Sequence, residues 1–492
     1  MRKTLLCLIP VGLWMAWAQA PQMPMPGGGA PPKKEAKDPF KNKAPVSKEL
    51  LKVKLPKPEE FHLDNGLTVM ILEDHRLPQI TMSFGIRGSG GLDEPADMSG
   101  LATVTATMLR EGTTTRSSKQ IADESDRLAA GIGASSGFGA TETNFTMSGL
   151  TDNFDKWFAL GVDVMLHPSF PADEWGKLKQ RQLLGLRQNR TSAQFLAQEQ
   201  FSRAVFGSHP AARIASSPES LGAITIEAMK KWHDERYVPQ NTLLGVVGDV
   251  TPAQLLPKLK EAFASWKKTD LQPAMPGNPA LTEQARVLLV NRPNSVQTNL
   301  LMGNLAIDRR SPDYVTFVVM NEILGAGPTA RLFNNLREDK GYTYGAYSSF
   351  AAQTYPGPWR ASSEVRTDVT EGAMKEFFNE FKRMRDEKIP AAELEEKKRS
   401  VVARFALSLE SPQQLLVYAH ERKFYGLPDD YWDTYPAKIS AVTADDVQRV
   451  AKKYLNLDDI QIVAVGDGSK IKSVMEKYGK VTVYDTDGKV MP

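Results

Sequence analysis

Apolar and polar positions along the first part of the chain form patterns that predict both strands and helices. The segment FHLDNGLTVMILED, residues 61–74, places an Asp-Asn-Gly turn between two strand-like runs, which predicts a β-hairpin. A further strand is predicted at residues 80–91, ITMSFGIRGSGG, where a glycine-rich turn follows. Apolar residues then recur with helical spacing near residues 99–110, 117–130, 153–165 and 173–200. This mixture of elements predicts an α+β fold.

The same order of elements occurs twice in the chain. Residues 226–266 predict a helix, a strand, a Gly-Asp turn and a second helix, and residues 444–479 repeat that order. A proline-rich linker at residues 267–284 separates the copies. The repeat predicts two homologous α/β halves, residues 59–266 and 285–490, each with a mixed sheet covered by helices. A chance recurrence of a common helix–strand–helix unit is the alternative.

Residues 1–20 have the features of a secretory signal peptide. Arg2 and Lys3 precede a largely apolar run and the small-x-small sequence Ala18-Gln19-Ala20. The apolar run is short for a membrane span, so cleavage after Ala20 is predicted and an uncleaved anchor is the alternative. We therefore expect an exported protein, most simply a periplasmic one, with no membrane span after cleavage.

Residues 21–58 are rich in proline, glycine and lysine and poor in aromatic residues. Such a composition buries too little apolar surface to fold by itself, so a disordered tether is predicted, with a docking arm as the alternative. Cys7 is the only cysteine of the chain and lies within the predicted signal peptide. The rest of the chain needs no disulfide, even in an oxidising compartment.

Composition and charge limit the possible classes of function. The chain has 492 residues, a formal net charge of +3 and 41% hydrophobic residues, which is ordinary for a globular protein of more than one domain. So small a charge argues neither for nor against nucleic acid by itself. Because lysine and arginine are scattered among comparable numbers of aspartate and glutamate, no nucleic-acid partner is predicted.

Residues 100–113, GLATVTATMLREGT, have the frame of a metal-binding helix without a metal-binding side chain. They belong to an ordered set of segments that also includes GSGGLDEP, RYVPQN, VVGDV, LREDKGYTYG and YGLPDDYWDTY. This set, from about residue 55 to residue 490, resembles the pitrilysin/insulinase family of zinc peptidases. The similarity is closest to the two-domain members of the mitochondrial processing peptidase type. The resemblance implies that the two halves form a clamshell around a closed cavity.

Active members of that family carry the inverted zinc motif H-x-x-E-H directly after Gly-Leu-Ala. Histidines at i and i+4 share a helix face and bind zinc, while the glutamate acts on the metal-bound water. The motif positions fall here on Thr103, Ala106 and Thr107. Neutral hydroxyls are poor zinc ligands and alanine is no base. The helix that would supply the third ligand, residues 174–190, offers no carboxylate after Glu174, so no metal is expected in this chain.

No other catalytic or metal-binding pattern is evident in the sequence. No two of the six histidines are three to five residues apart; they are His62, His75, His167, His209, His233 and His420. Asp93 and Glu94, in GGLDEP, are predicted to lie in a solvated turn. No signature of a serine, cysteine or threonine nucleophile is present.

Residues 334–349, NNLREDKGYTYGAYSS, predict a helix end, a turn and a strand. Tyr342 and Tyr344 are two residues apart and are therefore expected on one face of the strand. The family carries an arginine and a tyrosine seven residues apart in this half, and Arg337 and Tyr344 match them. The resemblance implies that this pair reaches across the cavity and donates hydrogen bonds to a peptide substrate and to the oxyanion formed from it. A surface ion pair for the arginine and core positions for the tyrosines are the alternative.

Tyr342, Gly325 and Gly327 are further candidates for contact with substrate. The two glycines lie in a short glycine-rich stretch after a predicted helix, and family loops of this kind touch substrate. A helix C-cap is the alternative for both glycines.

In the two-subunit branch of the family, one chain carries the zinc motif and its partner carries the Arg/Tyr pair. The resemblance therefore implies a non-catalytic subunit of a periplasmic zinc metallopeptidase, with zinc in the partner and no cofactor in this chain. Its substrate would be an extended peptide, bound by strand addition at a sheet edge. A peptide-binding or structural scaffold of the same fold is the main alternative. A self-sufficient enzyme with an unrecognised mechanism is the third.

Overall fold

A computed structural model describes residues 51–273 and 277–492 of the chain. These residues form one compact unit built around two six-stranded sheets. The predicted signal peptide at residues 1–20 and most of the predicted tether, residues 21–50, lie outside the described residues.

The first sheet has the strand order β1-β2-β6-β3-β5-β4, in which β2 and β6 run parallel and the other neighbours antiparallel. Its strands are β1 Glu59–His62, β2 Thr68–Glu73, β3 Gln79–Arg87, β4 Gly131–Ser135, β5 Glu142–Leu150 and β6 Thr242–Gly248. The helices of this half are α1 Leu101–Met108, α2 Ser118–Leu128, α3 Phe154–Leu166, α4 Ala172–Asn189, α5 Ala193–Phe206, α6 Pro218–Ala223, α7 Ile226–Arg236 and α8 Pro252–Ala262. The hairpin predicted around the Asp-Asn-Gly turn is the β1–β2 pair.

The second sheet has the strand order β12-β7-β11-β8-β10-β9, with β7 parallel to both of its neighbours. Its strands are β7 Arg286–Asn291, β8 Gln297–Ile307, β9 Thr343–Phe350, β10 Gly357–Arg366, β11 Gln461–Gly466 and β12 Val481–Tyr484. The helices are α9 Tyr314–Leu324, α10 Arg331–Phe333, α11 Thr370–Asp386, α12 Ala391–Ser408, α13 Pro412–Tyr425, α14 Tyr431–Ala441, α15 Ala444–Tyr454 and α16 Gly468–Met475. A π-helix, Asn334–Asp339, continues directly from α10.

The order of elements repeats from one half to the other, as the sequence predicted. In the first half, α7 leads into the buried strand β6 and then into α8; in the second, α15 leads into β11 and then α16. Both repeated strands are buried along their whole length. The predicted fold class, two α/β halves with helix-covered mixed sheets, is confirmed.

The central strands β6 and β11 are buried on both faces because each half places one helix on the sheet of the other half. On β11, Ile462 and Ala464 belong to the core of the second half, whereas Val463 and Val465 face α5 of the first half. In return, Leu416 of α13 packs against the first sheet. Burial on both faces accounts for the continuous apolar runs in the central strands.

The helix predicted at residues 173–200 is wrong as a single element. It divides into α4 and α5, because the Ser192 hydroxyl accepts a hydrogen bond from the Phe195 amide at 3.3 Å and so caps a new helix. The break lets α5 leave the first half and pack on the second sheet.

The disordered tether is also wrong where the structure describes it. Leu51, Val53 and Leu55 are half-buried against the core of the second half, with lysines at the exposed positions between them. The amide of Leu55 donates a hydrogen bond to Asp433 Oδ1 at 2.9 Å. Residues 51–55 are therefore an extended segment with one apolar side. The prediction missed it because it relied on the proline- and lysine-rich composition of the whole segment and not on this local alternation.

The predicted linker, where described, has no helix or strand at residues 267–273 and 277–284. Among the described helices, none combines the length and the apolar composition that crossing a bilayer requires.

Candidate functional site

The N-terminus of α1 is capped by the buried carboxylate of Glu94. Glu94 Oε2 accepts a hydrogen bond from the Gly100 amide at 2.8 Å, and its Oε1 accepts one from the Ala102 amide at 2.7 Å. Gly100 adopts φ 102°, a conformation that favours glycine. Burial raises the pKa of Glu94 to about 7. The solvated turn predicted at Asp93 and Glu94 is therefore wrong, since Glu94 is 7% exposed and caps the helix from six residues upstream.

The side chains at the three zinc-motif positions of α1 either form hydrogen bonds within this half or are buried. The Thr103 hydroxyl donates to the Ser136 carbonyl at 3.3 Å, and the Thr107 hydroxyl donates to the Thr103 carbonyl at 2.8 Å. Ala106 is fully buried. Both hydroxyl hydrogens are thus directed at backbone carbonyls within the helix and the loop beside it.

Helix α4, where the family resemblance places the third metal ligand, has no free carboxylate for that role. Glu174, in the first turn of α4, is bonded to Lys177 at 2.8 Å. Within residues 51–273 and 277–492, no group of three or more His, Cys, Asp or Glu side chains is arranged to hold a metal ion. The residues present in this half therefore do not fit a zinc ion.

Arg337 lies in the second half, on the π-helix that follows α10. Its guanidinium stacks 4.8 Å from the centre of the Phe333 ring, and its Nε is 3.4 Å from a Glu338 carboxylate oxygen. The Phe333 ring in turn lies 5.6 Å from that of Tyr347, on β9. Arg337 remains 46% exposed, so its remaining N–H groups are available to a ligand.

Tyr344 and Tyr342 do not share a face, contrary to the prediction. Tyr344 is 90% exposed. Tyr342 precedes β9 and is half-buried against the core, with its hydroxyl beside Gly372 of α11. Tyr342 lies before Thr343, the first residue of β9, so the alternation of side chains along the strand does not extend to it. Of these two tyrosines, only Tyr344 is exposed to solvent.

The glycines after α9 have different surroundings. Gly325 caps α9, and its carbonyl accepts a hydrogen bond from the Ser348 amide of β9 at 2.8 Å. A Cβ added there would lie 2.3 Å from that amide nitrogen, so the glycine permits close approach of helix and strand. Nothing lies within 4 Å of a Cβ added at Gly327. Gly325 thus has the C-cap role, and only Gly327 borders open space.

A cavity of about 280 Å³ lies where the two halves meet. Phe138 and Gly139, in the loop after β4, line it from the first half, and Tyr355 and Arg360 line it from the second. The Tyr355 hydroxyl donates to the Gly139 carbonyl at 3.0 Å, and Arg360 is bonded to Gln198 of α5. Burial lowers the pKa of Arg360. The cavity thus borders the C-terminal end of β9, at Ser349 and Phe350, and the contacts of Tyr355 and Arg360 join the two halves beside it.

These features define a protein of two similar α/β halves in which α1, the helix at the predicted zinc-motif positions, carries no metal ligand. Two family models match the chain, the insulinase (peptidase family M16) model over residues 69–219 and the peptidase M16 inactive domain model over residues 223–401. The chain belongs to the insulinase family, peptidase family M16. The family resemblance of the sequence is confirmed.

Curated relatives and solved structures agree with this assignment. The uncharacterized zinc protease YmxG of Bacillus subtilis is 21% identical over 356 residues, which cover 72% of this chain and 85% of the relative. An uncharacterized zinc protease of Rickettsia felis is 23% identical over 406 residues, with 80% and 93% covered. The crystal structure of a peptidase M16 inactive domain from Pseudomonas fluorescens has a TM-score of 0.76 at 26% identity, covering 83% of this chain and 98% of that one. A Helicobacter pylori protease structure shares the fold, with a TM-score of 0.77 at 21% identity over 84% of this chain and all of that one.

Proposed function

We propose that this chain is the non-catalytic subunit of an exported, periplasmic zinc metallopeptidase. A homologous partner would carry H-x-x-E-H and the zinc, and this chain would contribute Arg337 and Tyr344 to the partner's site. Export is proposed from residues 1–20 of the sequence. A peptide is the proposed substrate.

The observation that carries the proposal is the contrast between the two halves. The motif positions Thr103 and Thr107 are consumed by backbone hydrogen bonds, whereas Tyr344 is 90% exposed on an edge strand. An exposed phenol contributes little to a fold, because its ring buries no surface. Its exposure, in a half that also exposes part of Arg337, is better explained by a ligand outside this chain.

The chemistry follows from the donors that the two side chains supply. A phenol O–H and a guanidinium N–H donate hydrogen bonds to a carbonyl oxygen, and more strongly to the oxyanion that the carbonyl becomes during attack. Because the gain is larger in the transition state than in the bound substrate, the pair accelerates hydrolysis at the partner's site.

The partner is tested by purifying the tagged full-length chain from the native periplasm and sequencing what accompanies it. We expect an H-x-x-E-H homologue, stoichiometric zinc in the eluate and hydrolysis of a quenched fluorescent peptide. A chain recovered alone, free of metal and inert, would contradict the proposal and favour the scaffold function.

The role of the pair is tested in the purified heteromer. Tyr344→Phe and Arg337→Ala should each lower kcat by about 10²–10³-fold, the usual cost of losing one oxyanion donor. Tyr347→Phe, on the same strand, and Arg310→Ala, at an exposed position of the same half, are the matched controls and should retain activity. Full activity of both Tyr344→Phe and Arg337→Ala would exclude this role.

A further inference from the structure

The phenol of Tyr344 is directed to solvent by a bulge in β9. Thr343 pairs with Val365 and Ala346 pairs with Ser363, so three steps along β9 oppose two steps along β10. Directly paired residues share a face of the sheet. Thr343 therefore lies on the face of the buried Val365, and the residues that bulge outward are Tyr344 and Gly345.

Without the bulge, Tyr344 would point into the protein. In a regular strand, residues two apart share a face, and Ala346, two residues after Tyr344, is fully buried. The extra residue gives the inward position to Thr343 and leaves the tyrosine 90% exposed. The direction of the phenol is thus fixed by the backbone and not by packing around its ring.

Two hydroxyl groups hold the backbone of the bulge. Thr343 Oγ1 accepts a hydrogen bond from the Gly345 amide at 3.1 Å and lies 2.7 Å from the Glu364 carbonyl, to which it donates. The hydroxyl of Ser363 donates to the Gly345 carbonyl at 2.9 Å and is 3.0 Å from Thr343 Oγ1. Both backbone groups of Gly345 are therefore satisfied by side chains, where a regular ladder would have used the neighbouring strand.

We propose that Thr343 and Ser363 are positioning residues for Tyr344, acting through the bulge. Ser363 is 6% exposed and Thr343 is half-buried, so the hydroxyls act on Gly345 and not on a substrate. The inference rests on the proposed function, since it assigns the bulge to the presentation of Tyr344 to a peptide held by the partner. A displaced donor is costly, because a misplacement of about 1 Å lowers rates on the order of 10²-fold.

The positioning role is tested by a double-mutant cycle in the heteromer. Thr343→Val removes the hydroxyl at nearly constant shape and should lower kcat on the order of 10- to 100-fold, with KM little changed. Thr343→Ser retains the hydroxyl and should restore most of the rate, and Ser363→Ala should resemble Thr343→Val. In a Tyr344→Phe background, Thr343→Val should cause no further loss, because its effect passes through the missing phenol. The inference would be overturned if Thr343→Val lowered kcat equally in the native and Tyr344→Phe backgrounds. It would also be overturned if Thr343→Val and Thr343→Ser lowered kcat equally.

A second measurement separates failure of this inference from failure of the proposed function. Amide hydrogen exchange on the full chain alone should be faster at Gly345 in Thr343→Val than in the native protein or Thr343→Ser. Unchanged exchange would overturn the bulge assignment whatever the activity. Full activity of Tyr344→Phe, with the expected change in exchange, would overturn the proposed function while leaving the hydroxyls as the groups that hold the bulge.

Discussion

Glu142 and His420 meet where α13 crosses the first sheet. The Oε2 atom of Glu142 is 3.6 Å from His420 Nε2 and has no hydrogen-bond partner among the described residues. Burial raises the pKa of Glu142 to about 7, against the opposing effect of Arg87, and burial lowers the pKa of His420 to about 4. Nine residues after the capping serine, α13 has His420 where α5 has the buried Phe201. At this position, the contact of α13 with the first sheet is polar, whereas the corresponding contact of α5 with the second sheet is apolar.

This carboxyl group makes the stability of the protein depend on pH. A carboxyl whose folded pKa is raised from 4.5 to about 7 stabilises the fold fully below pH 4.5, and that contribution is lost as the pH rises through 7. The free energy of unfolding of the native protein, relative to Glu142→Gln, should therefore fall from pH 5 to pH 7.5 and then level off. Chemical denaturation at half-unit pH intervals measures the difference.

The comparison with Glu142→Gln isolates this group from the others that face it, which are Arg87, His420 and Tyr425. His420 titrates in both proteins, and its lowered pKa acts in the opposite direction, destabilising the fold as the pH falls below 6.5. A difference between the two proteins that is constant over this range would show that the buried carboxyl does not titrate with a raised pKa.

Residues with distant partners could not be predicted from the sequence. Glu94 caps α1 from six residues upstream, whereas sequence rules for capping place the acceptor at the residue before the helix. Thr343 and Ser363 are 20 residues apart, and only strand pairing brings their hydroxyls together. The candidates Arg337 and Tyr344 came from family resemblance. The two-residue alternation of a strand wrongly predicted that Tyr342 shares a face with Tyr344.

At the scale of elements, most helices and strands could be predicted because their apolar periodicity is local. The hairpin, the buried central strands and α1 to α3 follow the sequence patterns closely. The break between α4 and α5 was missed because helical periodicity continues through it, and only the cap at Ser192 marks the new helix. Its counterpart is the cap at Ser411, where α13 begins.

The exchanged helix α13 should contribute strongly to stability through Leu416. Leu416 is 5% exposed, and a Cβ added at Gly245 of β6 would lie 2.8 Å from its side chain. We expect Leu416→Ala to lower the free energy of unfolding by about 2–4 kcal/mol, because it leaves a cavity between helix and sheet. Val417→Ala is the matched control, since Val417 is 46% exposed, and should change stability by less than about 0.5 kcal/mol. Urea denaturation of both variants gives the comparison, and equal effects would refute the close packing of α13.

At the scale of the whole molecule, the number and order of the halves could be predicted from the sequence. The packing of α5 and α13 on the sheet of the opposite half could not. A repeat in sequence specifies how many similar units there are, but each unit's contacts with the other depend on shape. The exchange of α5 and α13 and the course of residues 51–55 are long-range features of this kind. They unite the halves into one compact unit, so a change in one half should be felt in the other.

The segment at residues 51–55 tests that coupling, because it packs on the second half just before the chain enters β1 of the first. Replacing Leu51, Val53 and Leu55 together by serine exposes three half-buried aliphatic side chains, each worth about 1 kcal/mol. We expect the thermal midpoint to fall by a few degrees and amide exchange to rise around Asp433, the acceptor of the Leu55 amide.

The matched control replaces the exposed lysines Lys52, Lys54 and Lys57 by serine in the same segment. It alters the composition of the chain by the same number of positions but removes no apolar contact. If both variants unfold at the native midpoint with native exchange near Asp433, the segment contributes nothing to the fold and the tether prediction would hold there after all. If only the apolar replacement lowers the thermal midpoint, the packing of residues 51–55 on the second half stabilises the fold. Amide exchange in β1 should then also rise, because the chain continues from residues 51–55 into β1, an edge strand of the first sheet.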